Sequence, residues 1–327
     1  MTVLVAVNTR DAIVLAADSQ GTVTRPILDP KDLSEFFDTD NDRKLRTGSD
    51  GRPLLDTWSR IACHATELPY KVHYNVEKIF PLEPLNMGIM ASGIAAIGDR
   101  TIKSLINEFK TTESLFRLSQ GNYTLGNTAA GLLDFLRDSY LKNYPAGKGP
   151  DIEIMLCGYE KSRYVPGVAR VYVHNNKISA PDYDLCIFFG GTTREIQRLL
   201  FGIDATNKSR LIKRSSEILG TYHKYIKQYL HNHNIHIEIP APETYGNELA
   251  LFNNFDINSL QMNCATYSEQ DAIECAGFLV NVMINSQKFS NQLPSTGGDV
   301  QLAIIRKHSG FQFVIPRQPY LDSQPRL

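Results

Sequence analysis

Two short apolar runs open the chain, residues 3–7 (VLVAV) and 12–17 (AIVLAA), with Thr9, Arg10 and Asp11 between them. Runs that are continuous rather than alternating suit strands covered on both faces, and the short polar break predicts a tight β-hairpin. Asp18 ends the second run. From Val23 to about Tyr74 the rhythm is lost in a polar stretch punctuated by Pro, Gly and Asp, which predicts a solvated surface insertion. The pattern resumes with a strand starting at Lys78-Ile79-Phe80, another over 87–91, and a break at Ser92-Gly93. Ile97, Ile102, Leu105, Ile106 and Phe109 then recur at helical spacing, and residues 128–144 predict a second amphipathic helix. Residues 152–160 read as a buried strand, with a hairpin partner turning at Asn175-Asn176 and a further strand starting at Lys177. The next strand, 185–189, runs into Gly190-Gly191-Thr192-Thr193.

A second long polar stretch, about 194–265, holds two predicted helices, the longer near 212–230, and then a polar loop leading into a short strand. A helix over 268–289 follows, with Ser268 as N-cap and Glu269 and Asp271 in its first turn. A final strand is expected over 311–315, before a Pro-rich polar tail at 316–327.

Composition narrows the class. The 327 residues are 42% hydrophobic and 21% charged with a net charge of −1, which is ordinary for a globular chain and excludes a broadly basic nucleic-acid face. No apolar run approaches the roughly 20 residues of a membrane span. The apolar N-terminus contains Asp11 and Asp18 and lacks a basic leader, so no signal peptide is read and a cytoplasmic location is expected. Five scattered cysteines, mostly inside apolar runs, suit reduced thiols rather than a disulfide frame. His231, His233 and His236 lack a completing ligand at familiar spacing, so no metal and no cofactor is expected.

The candidate chemistry sits at the start. Thr2 stands directly behind Met1, and threonine is small enough for an aminopeptidase to remove that Met. A freed Thr2 carries a hydroxyl nucleophile and an α-amine of ordinary pKa about 7.7–8.0, able to take the hydroxyl proton. The hairpin returns Asp18 to its side, where a carboxylate could hold a lysine.

Thr2, Ala6-Val7, Ala16-Ala17-Asp18-Ser19 and Thr22 resemble, in register, the opening of mature proteasome β-subunits and their bacterial relatives. The resemblance implies an N-terminal-nucleophile hydrolase with an α+β fold, a four-layer αββα sandwich of two antiparallel sheets in one domain. The stretches at about 24–74 and 194–265 would be insertions. Lys78 and Gly93 match the catalytic lysine and the glycine whose amide forms the oxyanion hole, one residue further apart than is usual. Ser92 and Thr22 fall at substrate-binding positions. The block 295–305 is similar to an element whose Ser and Asp buttress the nucleophile. Thr296 keeps the hydroxyl there, but the Asp position falls on Leu293. Where the family carries G-S-G-S, Gly191 occupies the Ser position; Thr192 or Thr193 then serves as helix cap, the favoured reading, or as a substitute hydroxyl.

These correspondences imply a threonine-type endopeptidase that self-assembles as a homo-oligomer and acts on peptide or unfolded protein, with any ATPase partner left open. No nucleic-acid or membrane partner is implied. With only Met1 ahead of Thr2, activation is expected to need only its removal. A catalytically inactive scaffold subunit and an amidase acting on a small molecule stand beside this reading.

Overall fold

A computed structural model describes residues 2–28, 37–38, 44–54, 65–145, 149–237, 262–289 and 294–314. The opening hairpin forms as β1 (Val3–Asn8) and β2 (Ala12–Asp18), antiparallel, with Leu4 opposite Ala17. Both strands are buried along their whole length because both faces are covered. Val3, Val5 and Val7 point to one side and Leu4 and Ala6 to the other, and two separate cores receive them.

The ribbon β3 (Gly21–Leu28) and β4 (Ala65–His73) follows, then β5 (Ile79–Pro81) and β6 (Met87–Gly93). A small hairpin, β7 (Ala96–Ile97) and β8 (Arg100–Thr101), leads into helices α1 (Ile102–Lys110), α2 (Glu113–Gln120) and α3 (Leu125–Asn143). Next come β9 (Ile152–Gly158), β10 (Gly167–Tyr172), β11 (Lys177–Ile178) and β12 (Ile187–Gly191), then α4 (Arg194–Phe201) and α5 (Ala205–Asn232). The described chain closes with α6 (Glu269–Lys288), β13 (Val300–Arg306) and β14 (Gly310–Phe313).

Two antiparallel five-stranded sheets result, ordered β12-β1-β2-β13-β14 and β11-β10-β9-β6-β5. Leu4, Leu15, Met90, Met155, Cys157 and Ile305 fill the space between them. The outer face of the first sheet packs Val5, Val14 and Ile304 on Ile196, Leu279 and Met283 of α4 and α6. The outer face of the second packs Ile89, Ile154 and Val171 on Leu105, Phe109 and Leu132 of α1 and α3. The fold is an αββα sandwich of the α+β class. Helix α6 starts on a capping box, with Ser268 Oγ accepting from the Asp271 N–H and Asp271 accepting from the Ser268 N–H, a cap worth about 1 kcal/mol. None of the described helices is long and apolar enough to cross a membrane.

Several elements differ from the sequence expectation. The stretch after Val23 is not strandless, since β3 runs on to Leu28 and pairs with β4 about 40 residues later. Ile97 lies in the β7–β8 hairpin, so the helix begins only at Ile102, and α2 has no counterpart in the reading. Helix α3 spans Leu125–Asn143 rather than 128–144, and the last strand ends at Phe313. The strand expected after His236, Leu293 and the tail at 316–327 lie outside the described residues.

Candidate active site

Thr2 precedes β1 and is 6% exposed. Its carbonyl accepts the Thr192 N–H at 2.7 Å, which extends the β1–β12 pairing by one residue. The hairpin places Asp18 beside it, fully buried at the end of β2. Four donors converge on that carboxylate. Oδ1 accepts the Val3 N–H at 3.0 Å and Lys78 Nζ at 2.7 Å, while Oδ2 accepts the Gly297 N–H at 3.1 Å and the Gln20 N–H at 3.4 Å. A single oxygen thus ties the residue after Thr2 to the Lys78 ammonium.

Lys78 is positioned through its backbone as well. Its N–H donates to Gln301 Oε1 at 3.0 Å, its carbonyl accepts from the Ala91 N–H at 3.0 Å, and Gln301 Nε2 donates to the Val76 carbonyl at 2.6 Å. Its ammonium donates to Asp18 and to the Gln20 carbonyl at 2.6 Å, which engages two of three N–H groups. Burial pulls the lysine pKa below its ordinary value, and the facing Asp18 charge opposes that pull without cancelling it.

Gly93 is the last residue of β6, on the second sheet. Ala91 N–H to Lys78 carbonyl and Leu82 N–H to Met87 carbonyl show which backbone positions of β6 face β5. By two-residue alternation Gly93 faces the same edge, opposite Val76. The Val76 N–H is turned to the Ser19 carbonyl at 2.8 Å and its carbonyl to Gln301, so the Gly93 N–H meets no strand partner there. Gly93 has φ +107°, and a Cβ on it would run into the Asp151 carbonyl oxygen, so only glycine fits. The residue does not stand before a helix as expected, because the β7–β8 hairpin intervenes.

The loop at 294–299 packs against the end of β2. Gln287 Oε1, from α6, accepts the N–H groups of Ser295 and Thr296 at 2.6 and 2.9 Å and the Ser295 hydroxyl at 3.0 Å. Thr296 is held 1% exposed, and its buried Oγ1 has no hydrogen-bond partner among the described residues; Ser19 Oγ is buried in the same way. Such atoms call for an explanation, since buried polar groups are normally paired.

Thr22, opposite Val72, lies in the β3–β4 ladder, and its hydroxyl accepts from Gln20 Nε2 at 3.4 Å. One edge of its strand is therefore occupied by β4, which the sequence reading did not foresee. Ser92 is buried on the inter-sheet side, opposite Glu153 in the β6–β9 ladder. Gly191 has φ +70°, and a Cβ there would press into the Thr2 carbonyl oxygen. A serine cannot stand at this point. Thr193 occupies the N-cap position of α4, but its side chain makes no cap bond and instead accepts from Gln197 Nε2 at 3.1 Å. His233 caps α5, with its ring stacked on Tyr229 at 4.2 Å.

Gln20, Glu153 and Gln287 escape the sequence reading, and Gln301 enters it only as part of the block 295–305, with no role of its own. Glu153 alone carried a signal, as the one charge within the apolar run of β9, in alternation with inward-facing Met155 and Cys157.

No family model matches the chain. No curated protein matches it either. Among solved structures the chain is similar to Anbu (ancestral beta-subunit) from Yersinia bercovieri, with 11% identity over 97% of this chain and 89% of that one and a TM-score of 0.45.

Proposed function

We propose that the protein is a threonine-type peptidase of the proteasome-like N-terminal-nucleophile class, using Thr2 after removal of Met1. The observation that carries this reading is the shared Asp18 oxygen, which joins the Val3 N–H to the Lys78 ammonium beside the nucleophile. The freed α-amine takes the proton from Thr2 Oγ, and Oγ attacks the substrate carbonyl. Lys78, held cationic by Asp18, lowers the proton affinity of the amine and hydroxyl. The Gly93 N–H receives the oxyanion, a donor worth about 2.7–4 kcal/mol in comparable sites. The amine then passes its proton to the departing amine of the substrate, leaving an ester on Thr2 that water hydrolyses. Thr296 Oγ1, buried without a partner among the described residues, is the group proposed to hold the α-amine once Met1 is gone.

Substrate is proposed to add along the edge of β3 that β4 leaves open. From the family resemblance come one domain with two insertions, a homo-oligomeric particle, peptide or unfolded protein as substrate, and action in the cytoplasm. Gly191 favours a second reading, an assembled subunit without activity, because no hydroxyl can stand there.

The test is hydrolysis of a fluorogenic peptide panel by the wild-type protein and by Thr2→Ala. We expect turnover in the former and at least a thousandfold less in the latter, with the oligomeric state unchanged. Equal turnover in both would refute the mechanism, and none in either would favour the inactive subunit.

A further inference from the structure

On the β12 side of Thr2, Gly191 offers no side chain, and a residue of the opposite sheet reaches that backbone. Glu153 of β9 and Ser92 of β6 face each other in the ladder and project between the sheets. Glu153 Oε2 accepts the Gly191 N–H at 3.1 Å and lies 3.5 Å from Ser92 Oγ, while Oε1 lies 3.4 Å from Nη1 of Arg170 on β10. A Cβ built on Gly191 would be 3.5 Å from Ser92 Cβ, so these groups share one small volume with the Thr2 carbonyl. Two of these partners, Gly191 and Ser92, are each one residue from a group that the proposed reaction needs. Gly191 precedes Thr192, whose N–H holds the Thr2 carbonyl, and Ser92 precedes Gly93.

We propose, resting on the threonine-nucleophile reading, that Glu153 is the positioning residue that fixes Thr2 and the Gly93 N–H at one spacing. Its carboxylate bridges the two sheets where the cleft is built, and Arg170 holds it by the other oxygen. Without it the Gly191 N–H loses its acceptor and the Ser92 hydroxyl is free to turn. The nucleophile and the oxyanion donor belong to different sheets, so their separation then rests on packing and on the bonds that Lys78 makes to Asp18 and Gln301. Reach matters here more than charge. Glutamine can keep an acceptor at Gly191 and Ser92, whereas aspartate keeps the charge but falls a methylene short.

The experiment measures the rate at which Thr2 reacts with a peptide epoxyketone, followed by intact mass, for wild type, Glu153→Ala, Glu153→Gln, Glu153→Asp and Ser92→Ala, with a thermal midpoint for each. We expect Glu153→Ala and Glu153→Asp to react about ten- to hundredfold more slowly, the loss that follows removal of a charge-assisted hydrogen bond. Glu153→Gln is expected to stay within about fivefold of wild type and Ser92→Ala to fall between, all with midpoints close to wild type. Wild-type rates in Glu153→Ala overturn the proposal, as does rescue by aspartate but not glutamine. Should Glu153→Ala not fold, the Gln and Asp variants decide alone. A wild-type protein that never reacts refutes the nucleophile reading itself and this inference with it.

Discussion

The β1–β2 corner and helix α5 both carry large apolar side chains, and the fold treats them in opposite ways. At the corner every residue of both strands is buried, and the one charge that enters, Asp18, meets four donors. Along the 28 residues of α5, none of the described side chains is buried, and Leu211, Ile218, Tyr222, Tyr225 and Tyr229 are exposed. The helix is anchored at its start, where buried Asp204 caps Asn207 and pairs with Arg198 at 2.7 Å. Apolar content alone therefore does not mark the core. What distinguishes the corner is cover on both faces, and that cover gives a buried charge its strength as well as its cost.

The comparison predicts a steep gradient of mutational effect. Asp18→Asn should have the largest, because it removes the charge facing the buried ammonium of Lys78 and replaces an acceptor with a donor. Loss of one partner from a buried pair costs about 3–5 kcal/mol. Urea denaturation should show a loss of that order, together with loss of Thr2 reactivity. A small loss would mean that the corner is wetter than its burial indicates. Gly191→Ser tests the same corner at its rim. The left-handed backbone alone costs about 1–3 kcal/mol for a residue with a side chain, and the contact with the Thr2 carbonyl adds to it. The variant should lose activity rather than gain a useful hydroxyl, and higher turnover would contradict the geometry. Tyr225→Ser on α5 should change stability by no more than about 0.5 kcal/mol, as exposed positions do. A change above about 2 kcal/mol would show that α5 is packed after all, and the contrast would fail.

The same contrast explains what the chain discloses in advance. Thr2, Asp18, Lys78 and Gly93 each stand at the edge of an apolar run, where local pattern and family register meet, and the structure brings Asp18 and Lys78 into contact. The two sheets and most of their strands are legible for the same reason. Long-range pairing hides the rest. Gly191 is recognisable as a close-approach glycine only once β12 lies beside β1, with Val3 opposite Gly191 and all the strands of the second sheet between them in sequence. Gln301 reaches Lys78 across 223 residues, and Glu153 is given its face by β6 and β10 on either side. The β3–β4 ribbon escapes because its strands carry Pro26, Pro69 and charged residues, so neither shows a clean period of two.

The most direct measurement is the intact mass of the purified protein before and after reaction with a peptide epoxyketone, which closes a ring only on a residue that offers both a hydroxyl and a free α-amine. The account predicts loss of Met1 and a single adduct mapped to Thr2, absent in Thr2→Ala. Met1 retained, or a freed Thr2 that stays unmodified while a control proteasome reacts, would contradict it.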